Sequence, residues 1–320
     1  MNFQEFKADF QKERVEEVKN QVPSKPLVSV CIQTYQHKKY IKKCLDSILE
    51  QKTNFDFEIL LGEDHSKDGT REICEDYAQR FPEKIRLFLH SRKNNIEVLG
   101  QASANFNVLY NLYSARGKYI AFCEGDDYWS DPLKLQKQYD FMFFNTEYSI
   151  CYHDYKIINS QNFEIQSDKA SPLKRDLKTN ELLFPWLHPA TLTVFFQNIF
   201  KNIPIETTLV NNLDVFIYTL LGQIGPGKFL DQIKPACYRV HQQGMWSEMK
   251  LESKILSKIN TYQKISTFYT KSGKNEVSYL FIKRIIKLKR YLIFLYIKKK
   301  QPIKAFHIFK QLLFFKLKIK

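Results

Sequence analysis

One short acidic segment carries the residue types most able to do chemistry. Glu124, Asp126 and Asp127 place three carboxylates within four residues, directly after an apolar run that predicts a buried strand. Carboxylates this close repel one another, and a divalent cation shared with a phosphate would offset the repulsion, because hard cations prefer oxygen ligands. The alternative is a solvated acidic turn before the next helix, since aspartate-rich turns are common.

Strands and helices are predicted to alternate around this segment. The four predicted strands are residues 27–32, 57–61, 85–89 and 118–123. The segments between them carry apolar residues at helical spacing. This alternation is typical of an α/β fold, an open, mainly parallel sheet with flanking helices. Ligands of such sheets bind beyond the carboxyl ends of the strands, so a site is expected at that edge.

Polar residues follow three of the four predicted strands. Thr34 and Tyr35 follow the first, Asp64 follows the second, and the acidic segment follows the fourth. An aromatic ring can stack on a base, a lone carboxylate can accept from a base N–H or a ribose hydroxyl, and an acidic cluster can hold a metal on a diphosphate. Residues 1–150 contain neither GxGxxG nor GxxxxGK(S/T), so no glycine loop is predicted to hold the phosphates.

The motifs of residues 27–140 resemble those of the family 2 glycosyltransferases, which are inverting, metal-dependent sugar transferases. The matching positions are residues 28–30 with Thr34 and Tyr35, residues 63–70, Asn105, and residues 115–120, 124–129 and 131–138. Their order and spacing carry the resemblance. It implies the glycosyltransferase A-type, Rossmann-like fold, a nucleoside diphosphate sugar as donor with a UDP-sugar preferred, and Mn²⁺ or Mg²⁺ as cofactor.

The resemblance also implies roles for residues of the first half. Tyr35 and Asp64 would contact the base of the donor, with Thr34 close by. Asp126 would approach the ribose and the metal, and Asp127 would bind the metal itself.

The second half supplies the remaining predicted site residues. By the same resemblance Asp214, which opens a predicted helix, is the catalytic base. The alternative is a first-turn acid that the helix dipole favours. His241, and after it Arg239, would reach the leaving diphosphate, although a core or capped histidine is the other interpretation of His241. His188 and Trp246 are assigned to the acceptor, although a lone histidine such as His188 is more often structural.

These expectations predict an enzyme that works on a glycan or lipid-linked acceptor in the synthesis of a surface polysaccharide or glycan. The alternative enzyme is a sugar nucleotidyltransferase, which usually carries a glycine-rich N-terminal loop, whereas residues 33–36 contain no glycine. The alternative outside enzymes is a non-catalytic, basic membrane-binding protein on the same fold.

The C-terminal residues carry most of the net charge of +15. Residues 277–320 contain thirteen Lys and Arg and no Asp or Glu, in helical patterns that are apolar on one side and cationic on the other. One interpretation is an anchor on an anionic membrane surface, and the other is a helical pair packed on the catalytic domain with solvated lysines. Nucleic acid is not an expected partner, because no recognisable binding motif accompanies the charge.

Four segments are predicted along the chain: an N-terminal helix at 1–25, a nucleotide-sugar half at 26–150, an acceptor and catalytic-base half of the same domain at 151–250, and a basic helical tail at 251–320. Six scattered cysteines without a CxxC pair predict reduced core residues. The early acids argue against a signal peptide, and no apolar run approaches the roughly 20 residues of a spanning helix. The predicted location is cytoplasmic, peripheral on the inner face of the plasma membrane.

Overall fold

The chain divides into two compact units. The computed structural model describes residues 1–166, 173–241 and 249–317 of the 320-residue chain. The first unit comprises Met1–Ile203 and Ile217–Gln242, and the second comprises Pro204–Phe216 and Gln243–Lys320.

An eight-stranded sheet is the centre of the first unit. The described strands are β1 (Glu16–Glu17), β2 (Val28–Thr34), β3 (Phe57–Glu63), β4 (Ile85–Leu89), β5 (Glu97–Val98), β6 (Gln101–Ala102), β7 (Tyr119–Phe122), β8 (Ile150–Tyr152), β9 (Tyr155–Ile158), β10 (Phe195–Gln197), β11 (Gly227–Phe229) and β12 (Ala236–Arg239). The sheet order is β1-β4-β3-β2-β7-β10-β8-β11. The neighbours β4, β3, β2 and β7 are parallel, as are β8 and β11. The predicted open, mainly parallel sheet is confirmed.

Helices connect the parallel strands. The described α-helices are α1 (Phe3–Phe10), α2 (Ile41–Leu49), α3 (Thr70–Arg80), α4 (Asn105–Ser114), α5 (Lys134–Phe144), α6 (Thr179–Leu183), α7 (Leu213–Leu221), α8 (Leu251–Lys271), α9 (Asn275–Lys298) and α10 (Pro302–Leu317). Short 3₁₀ helices cover Arg92–Asn94, Thr191–Thr193 and Ile205–Leu209. α2 buries Ile41, Leu45 and Ile48 in the core around the sheet, because residues at this spacing share one helix face.

The central strands are enclosed on both faces. Every residue of β3 is buried, and in β2 all but Gln33 are. Parallel strands covered in this way appear in sequence as nearly continuous apolar runs, which is why they could be predicted. All six cysteines are buried and free, in agreement with their interpretation as core residues.

The strand order places the carboxyl ends of β2, β3 and β7 side by side. Thr34 pairs with Glu63 across β2 and β3, and Cys31 pairs with Phe122 across β2 and β7. From β2 the chain adds β3 and β4 on one side and later adds β7 on the other, so the strand order reverses between β2 and β7. Such a reversal opens a crevice beyond the carboxyl ends, which is the predicted ligand edge.

The N-terminal segment differs from the predicted helix over residues 1–25. α1 ends at Phe10, and Glu16 and Glu17 form β1, which pairs antiparallel with β4. Arg86 Nε on β4 donates to Glu17 Oε1 at 2.9 Å. The helical prediction was wrong beyond residue 10, because β4 offers unpaired backbone groups along its edge, and pairing with them outweighs a local helical preference.

Residues 150–158 form two strands that belong to different sheets. β8 belongs to the large sheet, whereas β9 pairs in parallel with β12. Between them, Asp154 Oδ1 accepts from the Tyr155 N–H at 2.8 Å, and the Asp154 carbonyl accepts from the Ala236 N–H at 3.0 Å. These bonds turn the chain away from the large sheet, which no local pattern indicates.

The second unit is helical over most of its described residues. The Tyr269 and Phe281 rings stack at 6.1 Å between α8 and α9, and the Ser266 and Ser278 hydroxyls are 2.8 Å apart. Lys289 Nζ on α9 lies 3.4 Å from Gln311 Oε1 on α10. The predicted C-terminal helical extension is confirmed. Across the described ranges, no helix has both the length and the apolar character that crossing a membrane requires.

Candidate active site

The Asp64 cluster, which comprises Tyr35, Asp64, Arg92 and Asn95, lies at the carboxyl ends of β2, β3 and β4. Asp64 Oδ2 accepts from Arg92 Nη1 at 2.8 Å and from Asn95 Nδ2 at 3.0 Å. The Arg92 guanidinium lies over the Tyr35 ring, 4.0 Å from its centroid. Asp64 is 5% exposed and Tyr35 is 38% exposed, so the ring faces solvent while the carboxylate is enclosed.

Asp64 keeps one oxygen available as an acceptor. Its Oδ1 is buried and has no hydrogen-bond partner among the residues the structure describes. Burial raises the pKa of Asp64, although the hydrogen bond from Asn95 and the charge of Arg92 oppose the rise. A buried acceptor without a hydrogen bond destabilises a protein by about 1–3 kcal/mol. A ligand N–H or hydroxyl that donated to Oδ1 would remove this penalty.

The Asp126 cluster, which comprises His37, Asp126 and His241, lies at the carboxyl ends of β2, β7 and β12. Asp126 Oδ2 is 2.9 Å from His241 Nε2 and 3.9 Å from His37 Nε2. One ligand atom from each of the three residues lies within 4.8 Å of the others. Burial raises the pKa of Asp126, but the hydrogen bond from His241 and the nearby His37 imidazole outweigh it, and the pKa falls below its ordinary value.

Asp127 has a different environment from its neighbour. Its Oδ1 accepts from the Arg239 backbone N–H at 2.7 Å, and its own N–H donates to the Glu124 carbonyl at 3.0 Å. Burial, together with the charges of Asp126 and Glu124, raises the pKa of Asp127 well above its ordinary value. Two adjacent carboxyl groups thus have pKa shifts of opposite direction: the pKa of Asp126 is lowered, and that of Asp127 is raised.

The Arg239 side chain binds the acidic segment from one side. Its Nε donates to the Asp126 carbonyl at 2.7 Å, its Nη1 to the Asn159 carbonyl at 2.9 Å, and its Nη2 to Asn162 Oδ1 at 2.9 Å. Its guanidinium also lies over the Tyr40 ring, 4.5 Å from the centroid. These acceptors are neutral, so the contacts fix the position of the guanidinium without cancelling its charge.

Gly125 lets the acidic segment approach the loop that follows β2. A Cβ atom at this position would lie 2.6 Å from Thr34 Oγ1 and 2.9 Å from His37 Nδ1, closer than packed side chains come. On the other side of the segment, Glu124 Oε1 accepts from Thr191 Oγ1 at 2.6 Å. A larger residue at 125 would therefore displace either Thr34 or His37.

The structure brings all six predicted donor residues, and the predicted metal ligand Asp127, to one edge of the first unit. They are Thr34, Tyr35, Asp64, Asp126, Asp127, Arg239 and His241. His188, which was assigned to the acceptor, has its Nδ1 3.2 Å from the Pro189 carbonyl and its ring 5.4 Å from Tyr218. Asp214 lies in the first turn of α7 and belongs to the second unit, and its role stays a prediction. Trp246 lies outside the described residues.

Three polar residues of this edge were missed by sequence reasoning. His37 follows Tyr35 by two residues, and Arg92 and Asn95 lie in the loop after β4. Their position in loops that follow parallel strands was the available signal, since such loops line the ligand edge. Nothing in the sequence indicated which side chains would contact Asp64 or Asp126.

The Asp126 cluster has the donor atoms of a divalent-cation site. It combines one ionised carboxylate with two imidazoles, and its Asp126 side chain is 18% exposed and so reachable from solvent. Carboxylates suit Mg²⁺ and Mn²⁺, and imidazoles suit first-row transition metals such as Zn²⁺. The residues present therefore fit a bound divalent cation.

Comparison with known proteins identifies the family. The sequence model described as "Glycosyl transferase family 2" matches residues 29–203, more than half of the chain. The chain belongs to this family.

Relatives and solved structures agree with this assignment. The uncharacterized protein Rv1520 of Mycobacterium tuberculosis (strain ATCC 25618 / H37Rv) is 32% identical over 220 residues, 68% of this chain and 60% of that protein. This chain thus spans 60% of the length of that relative. The putative teichuronic acid biosynthesis glycosyltransferase TuaG of Bacillus subtilis (strain 168) is 34% identical over 118 residues, 37% of this chain and 42% of that protein. The S. aureus TarS 1-349 structure in complex with UDP-GlcNAc is 14% identical with a TM-score of 0.51, covers 87% of this chain and 88% of that one, and shares the glycosyltransferase A-type fold.

Proposed function

We propose that this chain transfers a sugar from a nucleoside diphosphate sugar to an acceptor hydroxyl, with inversion at the anomeric carbon. The main support is that two clusters share one sheet edge. The Asp64 cluster has an aromatic ring and a buried hydrogen-bond acceptor, and the Asp126 cluster has the donor atoms of a cation site. The base and the diphosphate of one nucleotide need these two kinds of group. Membership of glycosyltransferase family 2 supports the same reaction class.

The donor would lie along this edge with its base against Tyr35 and a base N–H or ribose hydroxyl donating to Asp64 Oδ1. Asp126 and His241 would hold a divalent cation, Mn²⁺ or Mg²⁺. When bound, the cation would neutralise charge that develops on the departing diphosphate. Arg239 would add positive charge beside the same loop and would position Asp126 through its carbonyl oxygen.

We assign Asp127 to positioning rather than to metal binding, which departs from the expectation from sequence. Asp127 is 3% exposed, and its Oδ1 accepts from the Arg239 backbone N–H at 2.7 Å. An enclosed carboxyl group with one oxygen already bonded to the backbone is less available to a cation than the partly exposed Asp126.

Asp214 is the proposed catalytic base. It would take the proton from the acceptor hydroxyl as that oxygen attacks the anomeric carbon, and the bond to the diphosphate would break in the same displacement. A single displacement inverts the centre and needs no covalent enzyme intermediate. His188 and Trp246 remain the proposed acceptor residues.

A UDP-sugar is the preferred candidate donor, and the proposed acceptor is a glycan or a lipid-linked glycan. The names of two Bacillus subtilis relatives, TuaG for teichuronic acid and the minor teichoic acid biosynthesis protein GgaA, support synthesis of a surface polymer. GgaA is 32% identical over 117 residues.

The first test offers the full chain a panel of nucleotide-sugars, with and without Mn²⁺. Calorimetry measures binding, and the release of nucleoside diphosphate measures turnover. We expect one nucleoside class to bind, with affinity that rises when Mn²⁺ is present. Formation of a nucleotide-sugar from a sugar phosphate and a nucleoside triphosphate would instead establish the nucleotidyltransferase alternative. A folded chain that binds no donor would leave the non-catalytic alternative.

We also propose that α9 carries the chain to an anionic membrane surface, which would place it in the cytoplasm on the inner face of the plasma membrane. One exposed stripe of α9 interleaves basic and apolar side chains. Its members are Tyr279, Leu280, Lys283, Lys287, Arg290, Tyr291, Phe294, Ile297 and Lys298. Basic residues near an anionic surface contribute about 1 kcal/mol each, and exposed aromatic rings suit the interface.

Sedimentation with lipid vesicles tests this surface. We expect binding to vesicles rich in phosphatidylglycerol and little binding to phosphatidylcholine. A triple variant, Lys283→Glu, Lys287→Glu and Arg290→Glu, should lose the binding. A control with the same charge change elsewhere, Lys42→Glu, Lys52→Glu and Lys201→Glu, should keep most of it. Equal loss in both variants would show that net charge, and not this stripe, is responsible.

A further inference from the structure

We infer that His37 is a third protein ligand of the cation, so that His37, Asp126 and His241 bind Mn²⁺ before any nucleotide arrives and prefer it to Mg²⁺. The inference rests on the proposed cation site, and it goes further in naming His37 as a third ligand and in naming the metal that the site selects.

The spacing of the three ligand atoms is close to that of a coordination sphere. With octahedral metal–ligand distances of about 2.0–2.1 Å, ligands at right angles lie about 3.0 Å apart and opposed ligands about 4.2 Å apart. Asp126 Oδ2 and His241 Nε2 are 2.9 Å apart, and Asp126 Oδ2 and His37 Nε2 are 3.9 Å apart. All three atoms lie within 4.8 Å of one another, so side-chain movements of less than about 1 Å complete the set.

The loop after β2 orients the His37 ring for this role. His37 Nδ1 is 3.3 Å from Thr34 Oγ1, and Thr34 is the last residue of β2. With Nδ1 protonated and donating to Thr34, the lone pair of Nε2 faces Asp126. A hydrogen bond at one ring nitrogen is the usual device that fixes a histidine ligand at the other. Gly125 provides the clearance, because a Cβ there would lie 2.9 Å from His37 Nδ1.

Two imidazoles change which cation the site prefers. A site of carboxylate, phosphate and water oxygens suits Mg²⁺, whereas imidazole nitrogen favours a first-row transition metal such as Mn²⁺ over Mg²⁺. Three protein ligands also hold a cation without help from the donor diphosphate. A site with a single carboxylate ligand would instead need the nucleotide for tight binding.

The test titrates the full chain with MnCl₂ alone, without nucleotide, and follows bound Mn²⁺ by calorimetry and by electron paramagnetic resonance. The native chain should bind one Mn²⁺, and a tenfold excess of Mg²⁺ should displace little of it. His37→Ala should weaken Mn²⁺ binding at least about tenfold, the lower end of losses seen for groups that support a metal site. His37→Asn is a second variant that removes the imidazole but keeps a polar side chain, and it should also weaken Mn²⁺ binding. Circular dichroism should show native helix content in both variants.

A matched control is His65→Asn, which removes an imidazole from the same edge of the sheet. His65 is exposed and has φ 59°, a conformation that asparagine tolerates, so the fold and Mn²⁺ binding should be unchanged. Pulsed electron paramagnetic resonance of bound Mn²⁺ should show nitrogen hyperfine couplings from two imidazoles in the native chain and from one imidazole in the His37→Ala variant.

Unchanged Mn²⁺ affinity in His37→Ala, coupling to one imidazole in the native chain, or equal affinity for Mg²⁺ would each overturn the inference. If donor binding with Mn²⁺ survives in that case, the proposed function stands without it. If Mn²⁺ binding depends on His37 but no nucleotide-sugar binds, the cation site stands and the transferase proposal fails.

Discussion

The Asp64 cluster and the Asp126 cluster lie on the same sheet edge, yet the two aspartates have different kinds of hydrogen-bonding partner. Asp64 is paired with the guanidinium of Arg92 at 2.8 Å and with the amide of Asn95 at 3.0 Å. Asp126 has two imidazoles beside its carboxylate, at 2.9 and 3.9 Å. One carboxylate has a permanent cation as partner, and the other has partners that can be neutral.

This difference separates recognition from chemistry. Arginine stays protonated in proteins, so Asp64 is held in one orientation with its charge balanced, which suits contact with a neutral base or ribose. A neutral imidazole leaves the charge of Asp126 uncompensated and adds a nitrogen ligand, which suits a divalent cation. The four substitutions below test whether the two clusters can be impaired independently.

Asp126→Asn should have the largest effect. It removes the charged ligand, so we expect loss of Mn²⁺ binding and a fall in transfer of about 1,000-fold or more, since a metal supplies several kcal/mol and each 1.36 kcal/mol is tenfold in rate. Uridine without phosphate should still bind, because the Asp64 cluster is intact. Near-native turnover with saturating Mn²⁺ would contradict the assignment of Asp126.

Asp214→Asn should lower kcat by roughly 100- to 1,000-fold, within the range that a general base contributes. Donor affinity in the presence of Mn²⁺ should stay close to native, because the substitution changes neither cluster. Steady-state kinetics and donor calorimetry separate the two effects. Asp231→Asn, an exposed aspartate outside both clusters, is the matched control and should behave as native. Equal kinetics for the two variants would show that Asp214 is not the catalytic base and is only a first-turn acid of its helix.

Asp64→Asn should lower donor affinity by about 10- to 100-fold, since hydrogen bonds to a charged group contribute about 1.5–3 kcal/mol. Mn²⁺ binding in the absence of nucleotide should not change, because the Asp126 cluster keeps all its ligands. Calorimetry with each ligand alone measures both quantities. A parallel loss of Mn²⁺ affinity would show that the clusters are not separable.

Asp127→Asn should have the smallest effect, less than about tenfold on transfer. The amide oxygen that replaces the carboxyl oxygen can still accept from the Arg239 N–H, so little more than one hydrogen bond of about 1 kcal/mol is at risk. The informative comparison is with Asp126→Asn under identical assay conditions. A loss of similar size in the two variants would restore Asp127 as a metal ligand.

Sequence reasoning was most successful where the position of a residue follows directly from the order of strands along the chain. Thr34, Asp64 and Asp126 were predicted as neighbours because each follows a buried parallel strand, and the carboxyl ends of such strands meet at one edge. It failed at the N-terminus, where a helix was predicted beyond Phe10, because the pairing of Glu16 and Glu17 with β4 is a contact distant in sequence.

By itself, the sequence determined the sheet, its ligand edge and the presence of carboxylates there, because strand hydrophobicity and motif order are local properties. Only the tertiary structure decided the partners of those carboxylates. Arg92 lies 28 residues from Asp64, and His241 lies 115 residues from Asp126. Whether a carboxylate meets a guanidinium, an imidazole or a backbone N–H depends on loops converging from distant parts of the chain. That convergence lowers the pKa of Asp126 and raises that of Asp127, and no pattern of neighbouring residues encodes it.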